Sequence, residues 1–174
     1  MNSSFRHFSF LLSLGMALLW LDFFSKAYVY HIMPISSVFS SHYPYGGVGV
    51  FENLLGVELT IGLTFNRGAA WGVFSNYQYV LLGLRIVLIA CMLLYLVFVS
   101  RKRKADFPLV LIIAGAVGNV TDFFLYGQVI DFIHFNFWGY DFPLFNVADL
   151  SITIGVIWLA GIAFFSPSKQ KELE

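Results

Sequence analysis

Four apolar stretches divide the chain, and their lengths predict membrane-spanning helices at about 8–33, 77–100, 107–125 and 145–165. Each is close to or above the ~20 apolar residues that a helix needs to cross a hydrocarbon core. The first is longer than the ~7–15 apolar residues of a signal peptide, and no small-residue cleavage site follows it. Between the first two stretches the period changes. Val57, Leu59, Ile61, Leu63 and Phe65 alternate with Glu58, Thr60, Gly62 and Thr64, the pattern of a strand with one apolar face. Gly47–Phe51 is its expected partner and Glu52–Gly56 the connection, so a small β region is predicted at about 46–66. A lone hairpin is marginal, which requires its apolar face to rest on the helices or the lipid interface. Before the last stretch, Asp131, Ile133, Phe135 and Phe137 alternate with Phe132, His134, Asn136 and Trp138, an extended segment whose aromatic residues suit the headgroup level. The fold class expected is an all-α membrane protein of four transmembrane helices with a small extracytoplasmic β element. It forms a single integral membrane domain over 1–174, with 166–174 as a cytoplasmic tail.

Composition supports this reading. The chain is 59% hydrophobic and 19% aromatic, with no formal net charge, which excludes a soluble domain and leaves no basic surface for nucleic acid. Arg6, Arg101, Lys102, Arg103, Lys104, Lys169 and Lys171 flank the apolar stretches. The positive-inside rule then places both termini in the cytoplasm and the 34–76 and 126–144 connections outside. The single cysteine, Cys91, excludes an internal disulfide and a cysteine metal cluster, and a packed core position is expected for it. Arg85, in the outer half of the second helix, is expected to snorkel outward or to pair within the bundle. Asp106 and Pro108 open the third helix, where a proline in the first turn is tolerated.

Only 11% of residues are charged, so acids in or beside apolar segments stand out. Asp22 and Lys26 are four apart on one face of the first helix and can pair. Asn119 and Asp122 share a face of the third, and Asn146 and Asp149 a face at the start of the fourth. Asp131 follows the third helix. If the last two helices are antiparallel neighbours, Asp131 and Asp149 meet at one membrane face. Two carboxyls held close there cannot both ionise easily, which makes an acid/base pair. Taken alone, Asp149 also fits a first-turn acid favoured by the helix dipole, and Asn66-Arg67-Gly68-Ala69-Ala70-Trp71 fits an ordinary turn with Trp71 as an interfacial anchor. His134 is expected at the interface, since no His/Glu cluster completes a zinc site; neither a metal nor a cofactor is expected. A small multi-span carrier or a membrane-complex subunit would also place acids in a bundle, although the repeats common in carriers are absent.

The order Leu21-Asp22-Phe23-Phe24-Ser25-Lys26, then Asn66–Trp71, then Gly118-Asn119-Val120-Thr121-Asp122, Val129-Ile130-Asp131-Phe132 and Phe145-Asn146-Val147-Ala148-Asp149 resembles the lipoprotein signal peptidases, or signal peptidase II. The resemblance covers most of the chain. It implies an aspartyl endopeptidase of the bacterial inner membrane with its active site on the outer side, Asp131 and Asp149 being catalytic. It also implies that Asp22, Lys26, Asn66, Gly68, Asn119, Asp122 and Asn146 support the pair or bind substrate. The implied partners are membrane lipid and a diacylglyceryl-modified prolipoprotein, cut before its lipidated cysteine by a monomeric enzyme. Two positions depart from the family pattern: Phe23 stands where Gln is usual, and Phe123 where Arg is usual after the GNxxD acid. Arg67 is the expected surrogate for that arginine.

Overall fold

The computed structural model describes residues 3–33, 47–68, 74–99 and 103–165. The 34–46 connection, Ala69, Ala70 and Trp71, Arg101 and Lys102 of the basic loop, and the 166–174 tail lie outside the described residues. Helix α1 runs Ser3–Ile32, α2 Gln78–Leu94, α3 Arg103–Tyr126 and α4 Val147–Phe165; a π turn, Tyr95–Val99, prolongs α2. All four helices are long and apolar enough to cross a membrane. Pro108 lies inside α3, because the helix begins at Arg103 rather than at the proline. Only one residue of α2, Ile89, is buried, and Cys91 lies exposed on this helix rather than in a packed core. An apolar helix so little covered by protein needs an apolar solvent.

Glycines set the approach of α3 to α4. A Cβ on Gly115 would collide with the Ala148 carbonyl oxygen, and one on Gly155 would sit 2.7 Å from the Pro108 carbonyl oxygen. Small residues let the two backbones close, as in membrane bundles generally. Ser151 Oγ then donates to the Leu111 carbonyl oxygen at 2.9 Å. At the far end of the bundle His7 Nε2 lies 3.1 Å from Asp106 Oδ2, tying α1 to α3.

The β region is larger than a hairpin. Strands β1 (Val48–Leu54), β2 (Val57–Asn66), β3 (Val129–Phe137) and β4 (Tyr140–Asp141) form one antiparallel sheet in sequence order. The description "all-α" therefore covers the helices but omits a four-stranded sheet. The segment after α3 is extended as expected, and β2 is its partner. The β1–β2 connection is shorter than expected, only Leu55 and Gly56, both at positive φ as a tight hairpin turn requires. Gly56 is needed twice there, since a Cβ would also meet the Trp138 ring.

The unbroken alternation expected over Val57–Phe65 is interrupted by a bulge. Ile61 pairs with Ile133 and Thr64 with Asp131, so three steps on β2 match two on β3. A one-residue slip exchanges the faces of a strand. Beyond the bulge Asn66 therefore lies on the face of Asp131, while Leu63 joins Val29, Ile130 and Phe132 in the core under the sheet. That core seats the sheet on the end of α1.

Gly115→Ala should lower stability by about 1–3 kcal/mol through overpacking, whereas Gly83→Ala, with nothing within 4 Å of its Cβ, should leave it unchanged or slightly raised. Thermal unfolding in detergent distinguishes the two.

Candidate active site

A buried ammonium lies at the centre of the polar network. Lys26, 1% exposed, donates to Asp22 Oδ2 at 2.7 Å and Asn119 Oδ1 at 3.0 Å, and lies 2.8 Å from Asp122 Oδ2. Three N–H donors thus meet three acceptors. The spacing of Asp22 and Lys26 puts them on one face of α1, and that of Asn119 and Asp122 does the same on α3. Gly118 leaves the room: a Cβ there would stand 2.5 Å from Asp22 Oδ2. Both acids extend the network, Asp22 through its second oxygen and Asp122 through the oxygen that faces Lys26. Asp22 Oδ1 accepts from the Ala148 N–H at 2.8 Å, satisfying a donor in the first turn of α4. Asp122 Oδ2 also accepts from the Ile130 N–H at 3.2 Å, anchoring β3.

Asn146 and Asp149 form a reciprocal cap on α4. The Asp149 N–H donates to Asn146 Oδ1 at 2.8 Å, and the Asn146 N–H to Asp149 Oδ2 at 3.3 Å, a capping box with Asn and Asp in the two roles. Asn146 is fully buried, and its Nδ2 donates to Asp131 Oδ1 at 2.8 Å, the Ile130 carbonyl oxygen at 3.0 Å and Asn119 Oδ1 at 3.2 Å. Asn119 Nδ2 donates to Asp149 Oδ1 at 2.8 Å. From β2, Asn66 Nδ2 donates to Asp131 Oδ2 at 2.9 Å, and Asn66 Oδ1 accepts from the Gly68 N–H at 2.9 Å. Each of the four oxygens of Asp131 and Asp149 therefore receives an N–H from an amide.

Both acids line one cleft of about 300 Å3, together with Asn66, Gly68, Arg85 and Asn119. Burial pushes the Asp131 carboxyl up to about 7, and the charge of Asp149 adds to the rise. The Asn66 hydrogen bond, the Lys26 charge and the Asn146 hydrogen bond oppose it. A carboxyl that holds its proton near neutral pH, beside a second carboxyl, can exchange protons with a bound water or a carbonyl.

The nine residues singled out in the sequence thus fall into two connected groups. Asp22, Lys26 and Asp122 form the ion cluster; Asn66, Gly68, Asn119, Asp131, Asn146 and Asp149 form the cleft, with Asn119 bridging to Lys26. His134 stands outside both groups. It is buried on β3 with Nε2 3.4 Å from Asp141 Oδ1, and burial lowers its pKa against the pull of Asp141 and Glu58. Arg67 does not reach the cleft; its Nε donates to Gln128 Oε1 at 3.1 Å on the exposed side. Arg85 does, donating through Nη2 to the Gly68 carbonyl oxygen at 3.0 Å. Its signal in the sequence was a lone cation in an otherwise apolar helix, which snorkelling also explained.

Comparison with known proteins gives a consistent family. The model of a family described as signal peptidase (SPase) II matches residues 14–165. The chain is similar to the lipoprotein signal peptidase of Chlamydia pneumoniae, 46% identical over 117 residues, 66% of this chain and 69% of the relative. It is likewise similar to that of Chlamydia felis, 46% identical over 110 residues, 62% of this chain and 66% of the relative. Two solved structures, both described as bacterial membrane enzymes, share the fold at 30% identity. One has a TM-score of 0.76 and covers 95% of this chain and 94% of its own. The other has a TM-score of 0.72 and covers 92% and 95%.

Removing the ammonium should unpair two buried carboxylates, so Lys26→Met is expected to cost about 3–5 kcal/mol. Adding Asp22→Asn and Asp122→Asn should recover part of that loss; a single substitution with unchanged thermal stability would refute the central place given to Lys26.

Proposed function

Because this chain belongs to the signal peptidase II family, we propose that it removes the signal peptide from diacylglyceryl-modified prolipoproteins, cutting before the lipidated cysteine. The whole chain acts as one integral membrane domain, with its four apolar helices crossing a bacterial inner membrane. Both termini face the cytoplasm and the cleft faces the outer side, the orientation that the basic residues at the helix ends favour. The observation that carries the mechanism is the convergence of Asp131 and Asp149 on one cleft, all four carboxylate oxygens held by amide donors.

The catalytic pair is Asp131 and Asp149, with one shared proton and a water held between them. The ionised carboxyl takes a proton from the water as general base, and the protonated one polarises the scissile carbonyl. The water oxygen forms a bond to the carbonyl carbon, the resulting diol collapses, and the leaving amine takes a proton from the pair. The two acids titrate as a unit. Asn146 holds both through separate N–H groups, and Asn66 and Asn119 hold one each, so the carboxyls keep their geometry as charge moves between them. The substrate's acyl chains lie between helices, where an apolar medium surrounds them. A lipidated cysteine beside a signal helix presents its scissile bond at this depth, beyond the reach of a protease in water.

Purified protein should cleave a diacylglyceryl-modified prolipoprotein in detergent, with or without EDTA. Asp131→Asn and Asp149→Asn, each folded, should lose at least about a hundredfold in rate; full activity in either would overturn the pair.

The pH dependence has a definite sign. The raised value of Asp131 means that the proton is retained below about pH 7 and lost above it. The rate should therefore fall as pH rises through that range, and a profile still climbing there would contradict proton sharing.

A further inference from the structure

Arg85 is the only charged residue of α2 and sits two turns in from its N-terminal end, among exposed apolar side chains. A cation in such a helix is costly unless something holds it. What holds it is the carbonyl oxygen of Gly68, 3.0 Å from Nη2, at the rim of the cleft that Arg85 helps to line. The N–H of the same glycine donates to Asn66 Oδ1, and Asn66 Nδ2 donates to Asp131 Oδ2. Gly68 is thus gripped on both sides of its backbone. Its N–H also decides which end of the Asn66 amide faces Asp131. With Oδ1 occupied, the NH2 group is turned toward the carboxyl; with Oδ1 free, the amide could turn over and bring oxygen against oxygen. Phe123 on α3 packs edge-to-face on Tyr79 of α2, ring centroids 5.7 Å apart, so that position of α3 is filled by an apolar contact and the cation in the cleft comes from α2.

We propose that Arg85 is a positioning residue of the active site, acting through Gly68 and Asn66 to keep an amide donor on Asp131. The inference rests on the assignment of Asp131 to the catalytic pair. The charged groups around Asp131 are Asp149 from α4, Lys26 from α1 and Arg85 itself in the shared cleft; α3 presents the neutral Asn119 and β2 the neutral Asn66. An amide donor favours the ionised carboxyl. Loosening it makes the carboxyl hold its proton to higher pH, so the alkaline limb of the rate profile moves upward.

The test is kinetic, on the full chain in detergent, with thermal unfolding to establish that each variant is folded. Arg85→Leu should lower kcat/KM by on the order of tenfold to a hundredfold, as for a misplaced catalytic group, and raise the pH of the alkaline limb. Arg85→Lys should restore part of both, having one charge but no planar fork. In an Asn66→Ala background, Arg85→Leu should move the limb no further, the non-additivity of residues acting in series. A limb that stays at the parent's position while activity follows the folded fraction would overturn the proposal. So would an undiminished shift in the Asn66→Ala background, which would mark a direct effect of charge. Failure of the underlying assignment looks different, since Asp131→Asn would then remain active.

Discussion

The site depends on one buried ammonium. Taking Lys26 out of water costs several kcal/mol before any partner is counted, and the fold offsets this by supplying three acceptors from α1 and α3. Those acceptors are shared. Asp22 also caps the first turn of α4, and Asp122 also holds the first residues of β3. Four elements distant in sequence are therefore referred to a single charge. In a low dielectric such a contact is directional and strong, which suits a bundle whose helices gain nothing from the hydrophobic effect when they are surrounded by lipid.

Beyond the ammonium the chemistry of the contacts changes. Asp22 and Asp122 face a cation, whereas Asp131 and Asp149 are held by amide N–H groups. A carboxylate beside an ammonium is held by a charge-assisted contact. An amide donor fixes position with a weaker preference for either form. Asn119 and Asn146 stand between the two groups, so the position of the ion cluster is passed to the pair while its charge is partly kept away.

Much of this was legible in the chain. The four apolar runs are α1 to α4 within a few residues, because length and hydropathy alone determine where such helices can form. The period of two around Asp131 marked an extended segment, and the spacings Asp22/Lys26, Asn119/Asp122 and Asn146/Asp149 placed each pair on one helix face. What escaped has a common cause. The partner of β3, the bulge between Ile61 and Thr64, the burial of His134 and the contact of Arg85 are all set by pairing across long separations. Local alternation over Val57–Phe65 was regular, yet tertiary pairing with β3 overrode it.

That bulge matters to the chemistry. With regular pairing on from Ile61, Leu63 would face the side of Asp131 and Asn66 the core beneath the sheet, an unpaired amide among Val29, Ile130 and Phe132. The extra residue turns it to the side of Asp131, where it becomes a donor to the carboxyl, and carries Leu63 into the core in its place. One inserted residue thus satisfies two requirements of burial at once: an apolar side chain leaves the cleft, and a polar one enters it with its hydrogen bonds made. A strand that begins in regular pairing with β3 ends at the cleft, and the change happens within three residues of β2.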